Sequence, residues 1–143
     1  MTTEDVVLTL TDELDPSAEA VIENGLGKYN EKMAGYRDSR PLHVLVSDPR
    51  SKSVVGGLLG RTSLGLFFVD LLFLPESVRG HGIGSRIMET AEQEAKKRGC
   101  SAAVLYTITF QAPDFYQRCG YQALGRIEVE APGHTRFCMT KSL

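Results

Sequence analysis

The sequence predicts an α/β fold on a mixed sheet, and three features predict it. Phe67 to Leu74 is a nearly continuous apolar run, as expected of a strand covered on both faces. Arg79-Gly80-His81-Gly82-Ile83-Gly84 is a glycine-rich corner that opens directly into an amphipathic helix. Ala102 to Tyr106 then reads as a strand, parallel to the first if the connection is the usual right-handed crossover. Hairpin patterns on either side of this unit make the sheet mixed.

Taken in order, Asp5 to Leu10 is expected to form a first strand with Val6, Leu8 and Leu10 on one face. Asp15-Pro16-Ser17 starts a helix, Asp15 as its cap and Pro16 at its first position. Gly25 and Gly27 weaken the second half of that helix, and Tyr29 to Arg40 reads as an irregular helix–loop segment. Leu42–Val46 and Val54–Gly60 form a hairpin across Asp48-Pro49-Arg50-Ser51. In the helix after the glycines, Ile83, Ile87, Ala91 and Ala95 recur every four residues with Met88 alongside. Glu92–Lys96 and Glu94–Arg98 are expected as i,i+4 pairs on its wet face, and Gly99 stops it. A short helix, Ala112 to Arg118, and two strands, Tyr121–Ile127 and Thr135–Thr140, complete the chain.

The bulk properties narrow the function classes. At 143 residues the chain suits one domain, 1–143, with a core that needs neither disulfide nor metal. A net charge of −2 argues against nucleic-acid binding, and no apolar run is long enough to span a membrane. Cys100, Cys119 and Cys138 read as reduced thiols of a cytoplasmic protein. Their spacing, and the scatter of the three histidines, imply no metal site.

The glycine corner suits an anion. It places backbone N–H groups and the positive end of a helix dipole together, and glycine permits close ligand approach. A dinucleotide fingerprint needs glycine where Ser85 stands, and a P-loop needs a Gly-Lys-Ser/Thr that is absent. A pyrophosphate held by backbone amides remains, beside the plainer reading of a tight turn without a ligand.

Leu74-Pro75-Glu76 leading into Arg79–Gly84 resembles the acetyl-CoA motif of the GCN5-related N-acetyltransferase (GNAT) superfamily. Phe115-Tyr116-Gln117-Arg118-Cys119-Gly120-Tyr121 resembles its second signature, and the order of segments agrees from Val6 to Leu143. Phe110-Gln111-Ala112-Pro113 and Gly133-His134 are similar to a small bacterial acetyltransferase subgroup. The resemblance implies a GNAT-like fold, a mostly antiparallel sheet whose central parallel strands splay apart around acetyl-CoA. It also implies direct acetyl transfer to a primary amine of a small molecule or peptide, and a possible homodimer.

By the same resemblance, the Leu72-Phe73-Leu74 backbone would pair with the pantetheine arm. N–H groups of Arg79, Gly80, His81, Gly82, Ile83, Gly84 and Ser85 would hold the pyrophosphate. Phe115 and Arg118 would flank the cofactor, and Thr109 stands where many members carry an asparagine contact. Tyr116 occupies the place of the usual acid, and a phenol near a leaving thiolate can donate its proton. Asp70, a carboxylate in an apolar strand, has two readings: general base through water, or structural acceptor at a turn or bulge. Tyr29, Tyr36, Asp38 and His134 are the candidate acceptor-site residues. The alternative function is an inactive CoA-binding sensor, motivated by Thr109.

Overall fold

A computed structural model describes residues 2–129 and 133–143. The chain divides into two compact units, Met1–Arg37 and Asp38–Leu143. Pro132, which with Gly133 and His134 reads as a turn in the sequence, lies outside the described residues.

In the first unit the expected strand over Asp5–Leu10 does not form. Thr3–Asp5 makes one 3₁₀ turn, closed by the Thr2 hydroxyl donating to Asp5 (2.8 Å), and Val6 to Leu10 joins no strand. Alternating apolar residues specify which face a strand would show, but a strand also needs a neighbouring ladder to satisfy its backbone. Helix α1 (Pro16–Ala34) begins as expected, with the Asp15 carboxylate accepting from Ser17 N–H. It runs five residues past Tyr29, correcting the irregular reading of that stretch. Arg37 explains its continuity: the guanidinium lies where a Cβ on Gly27 would stand and donates to Asn24 Oδ1 at 3.1 Å. Gly35 ends α1 in the left-handed conformation.

The second unit carries a six-stranded sheet in the order β1-β2-β3-β4-β6-β5. Its strands are β1 (Arg40–Ser47), β2 (Val54–Ser63), β3 (Leu66–Phe73), β4 (Ala102–Ile108), β5 (Gln122–Glu128) and β6 (Thr135–Ser142). All neighbours are antiparallel except β3 and β4, which the crossover helix α2 (Ile83–Lys97) joins in parallel. The Asp48 carboxylate builds the β1–β2 turn by accepting from Arg50 and Ser51 N–H groups. A short helix, α3 (Pro113–Arg118), links β4 to β5.

The core lies between one sheet face and α2, where Leu58, Phe67, Ala103 and Met139 meet Ile87, Met88, Ala91 and Ala95. The far end of β3 departs from the expectation of two covered faces, since Leu71 and Phe73 are exposed. Glu92 departs as well. Four residues after Met88 and three before Ala95, it falls on the apolar stripe and is buried, so it faces Lys141 rather than Lys96.

Candidate active site

A β-bulge opens the site. Leu59 pairs with Leu71 and Gly60 with Val69, which leaves Asp70 as the extra residue of β3. Parallel pairing with β4 stops at Val69↔Leu105, one residue earlier, although both strands continue. A bulge adds twist and bends its strand, so β3 turns away from β4 at the point where an unpaired residue begins. A cavity of about 740 Å³ occupies the resulting gap, within the size range of small-molecule sites.

One wall of this cavity is β3 from Val69 through Leu74, and the opposite wall is Leu105, Tyr106 and Thr107 of β4. Its floor includes Arg79, Gly80, Gly82, Ile83, Gly84 and Ser85 at the start of α2. Gly82 is the residue before α2, left-handed at φ 75°, and no side chain caps the helix there. The first turn carries no acidic residue either. Its N–H groups have no acceptor within the helix by geometry, so this end is electrostatically open to an anion. Gly84 carries Phe115, whose ring atoms lie 3.0 Å from where a Cβ would stand. Arg79 is tied back, its Nε donating to the Leu74 carbonyl at 2.8 Å.

Tyr116 and Asp70 line the same cavity. Tyr116 is buried on α3, edge-on to Phe115 (centroids 5.1 Å apart) and to Tyr121 (6.0 Å). Burial, aided by the neighbouring Cys119, pushes its phenol up to about 12. Asp70 is exposed and accepts from Arg61 at 2.9 Å, while the Arg61 guanidinium lies over the Phe68 ring. Asp70 is the extra residue of the bulge and also lines the cavity.

The structure thus brings Asp70, Leu72, Phe73, Leu74, Arg79, Gly80, Gly82, Ile83, Gly84, Ser85, Phe115, Tyr116 and Arg118 to one cavity. Six other candidates are absent from its lining. His81 is exposed at the corner, outside the cavity wall. The Thr109 hydroxyl accepts from Thr135 N–H (2.8 Å) and donates to its carbonyl, pinning the end of β4 to β6. Asp38 accepts from Leu64 N–H (2.9 Å), bracing the β2–β3 turn. His134 stacks edge-on against Phe110, which lines the cavity. Tyr29 and Tyr36 are exposed residues of the amino-terminal unit. Sequence reasoning missed Tyr106 and Thr107, which alternation along β4 could have separated into opposite faces. It also missed the second-signature neighbours Phe110, Gln111 and Ala112 as lining residues.

The two buried phenols carry a stability signature. Burial and the Glu92 carboxylate push Tyr121 upward too. Folded values above the unfolded reference near ~10 mean that the unfolded chain loses these protons first as pH rises. Their contribution is whole below about pH 10 and falls as pH rises toward the folded values. The melting temperature should therefore drop above about pH 10, and less steeply in Tyr116→Phe. An equal slope in both proteins would mean that the Tyr116 phenol ionises freely in the folded state.

Comparison with known proteins agrees with this geometry. The sequence pattern of the acetyltransferase (GNAT) family matches residues 8–121. Acetyltransferase Atu2258 of Agrobacterium fabrum is 39% identical over 126 residues, 88% of this chain and 91% of that one. Blasticidin-S acetyltransferase of Streptomyces morookaense is 37% identical over 109 residues, 74% of this chain and 80% of that one. A crystal structure from Agrobacterium tumefaciens, 35% identical, superimposes with a TM-score of 0.84 over 96% of this chain and 100% of its own. The splayed strands, the uncapped helix and these relatives have one meaning: the chain belongs to the GNAT acetyltransferase family and is an acetyl-CoA-dependent N-acetyltransferase.

Proposed function

We propose that the enzyme transfers acetyl directly to the primary amine of a small cationic molecule, with both substrates bound together. The observation that carries this reading is the continuity of one cavity from the uncapped start of α2 to Tyr116 and Asp70. The residues fit the acyl donor: first-turn amides of α2 suit a pyrophosphate, and the backbone of β3 past the bulge, no longer paired with β4, suits an amide-bearing arm. Arg79, anchored through Nε, keeps its terminal nitrogens for phosphate. Acetyl-CoA supplies an acyl group activated as a thioester.

Tyr116 is held neutral by burial, so its phenol stays a proton donor across the physiological range. It gives that proton to the sulfur as the carbon–sulfur bond breaks. Asp70, at the solvent-facing mouth, takes the proton released by the attacking amine, directly or through one water. Cys119 is a poor rival nucleophile, because burial pushes its thiol upward and leaves little thiolate despite the bond to Ser85. This supports transfer without an acyl-enzyme. The family match crosses the division at Arg37, which supports treating 1–143 as one acetyltransferase domain.

A small cationic acceptor suits the carboxylate of Asp70 set among Leu71, Tyr106 and Phe110. A relative named for acetylating blasticidin S supports the same class. The test is release of free CoA thiol from acetyl-CoA on addition of polyamines, aminoglycosides, nucleoside antibiotics or peptides with a free amino terminus. Release with a small cationic amine is expected. Release with peptides only overturns the acceptor class, and acetyl-CoA binding without release by any amine favours a sensor.

A further inference from the structure

Glu92 is a buried carboxylate that the reaction as described does not use. It projects from α2 and receives two donors from the carboxyl-terminal part of the chain: the Tyr121 hydroxyl at 3.0 Å and the Lys141 ammonium at 2.6 Å. Only 8% of its side-chain surface is exposed, so its charge is balanced by these two partners rather than by water. Lys141 also lies 5.8 Å from the Tyr121 ring centroid and packs against Gly120. Tyr121 is thus clamped at its hydroxyl and over its ring, with 2% of its surface exposed.

What Tyr121 touches next is Tyr116. Helix α3 ends in a Schellman arrangement: Gly120 N–H donates to Gln117 C=O (3.0 Å), and Tyr121 N–H donates to Tyr116 C=O (2.9 Å). The hydrophobic contact that accompanies this motif is the edge-on packing of the Tyr121 ring against Tyr116. Tyr116 is therefore held by Tyr121 twice, at its backbone carbonyl and at its ring. Because α3 has only six residues, its own ladder is too short to fix a side chain without such support.

We infer that Glu92, Tyr121 and Lys141 form a positioning network that fixes the Tyr116 phenol at the cavity wall. None of the three lines the cavity that holds Tyr116, so they act through Tyr116. The inference rests on Tyr116 being the acid, and the experiment separates the two ideas.

Tyr121→Phe keeps the ring and removes the hydroxyl that Glu92 holds. It should lower kcat about tenfold, within the ~10²-fold that a misplacement of about 1 Å can cause. The KM for acetyl-CoA should stay near the wild-type value. In a Tyr116→Phe background the same substitution should change kcat little, because the group being positioned is gone. Lys141→Gln should behave like Tyr121→Phe, and Lys141→Arg should restore most of the activity; these two variants carry the test if Tyr121→Phe fails to fold. If Tyr116→Phe alone leaves kcat intact, the acid assignment falls. If Tyr116→Phe is slow but Tyr121→Phe and Lys141→Gln lower kcat equally in both backgrounds, the network is merely structural and the inference falls.

Discussion

Tyr116→Phe should lower kcat by about 10²–10⁴-fold, the range that a positioned proton donor contributes, while acetyl-CoA binding is nearly unchanged. The substitution removes one oxygen from a ring that stays packed between Phe115 and Tyr121, so the cavity keeps its shape. Loss confined to kcat identifies an interaction made as the reaction proceeds rather than on binding. Steady-state kinetics together with calorimetric titration of acetyl-CoA decide the matter. Wild-type turnover in the variant would leave the leaving thiolate to water and remove Tyr116 from the chemistry. A shared loss of affinity and turnover would instead make it a wall of the cofactor site. Because burial keeps this phenol protonated to about 12, kcat in the wild type should not decline between pH 8 and 10 through Tyr116.

Gly84→Val should separate cofactor binding from folding in the opposite sense. A Cβ at this position already meets the Phe115 ring at 3.0 Å, and a branched side chain drives that ring into the cavity. Overpacking of this kind costs about 1–3 kcal/mol. If it falls on the bound state, the Kd for acetyl-CoA rises at least about tenfold, equivalent to about 1.4 kcal/mol. Calorimetric titration measures the Kd, and circular dichroism checks that the variant is folded. A folded variant with wild-type affinity would place the cofactor away from the first turn of α2. Gly84→Ala should produce a smaller change in the same direction, since Phe115 need move only a few tenths of an ångström.

Local chemistry made much of this molecule legible. Asp15-Pro16 marked the start of α1, Asp48 marked the β1–β2 turn, and the four-residue apolar spacing marked the buried face of α2. Each is a signal in which neighbouring residues act on their own backbone. The glycine corner and the Phe115–Tyr121 segment were legible for a related reason, because a tight corner opening a helix and a helix-ending glycine both leave short motifs. Val6, Leu8 and Leu10 misled, because alternation describes the faces of a strand and says nothing about the neighbour that must pair with it. Glu92 misled in the other direction. Charge alone placed it on the wet face, whereas its position four residues after Met88 placed it on the dry one.

The order of elements and the chemical type of most cavity residues were determined by the sequence alone, since both depend on periodicity and short motifs. Tertiary structure decided where β3 leaves β4, because a bulge exists only in the register of two strands and Asp70 becomes its extra residue only against Leu59 and Gly60. It also decided that Arg61 meets Asp70, nine residues away, and that Lys141 meets Glu92 across 49 residues. Thr109 bound to Thr135 and Asp38 bound to Leu64 belong to the same class. A polar side chain takes whichever partner the packed chain brings within about 3 Å, and that partner is set by the whole fold rather than by its sequence neighbours.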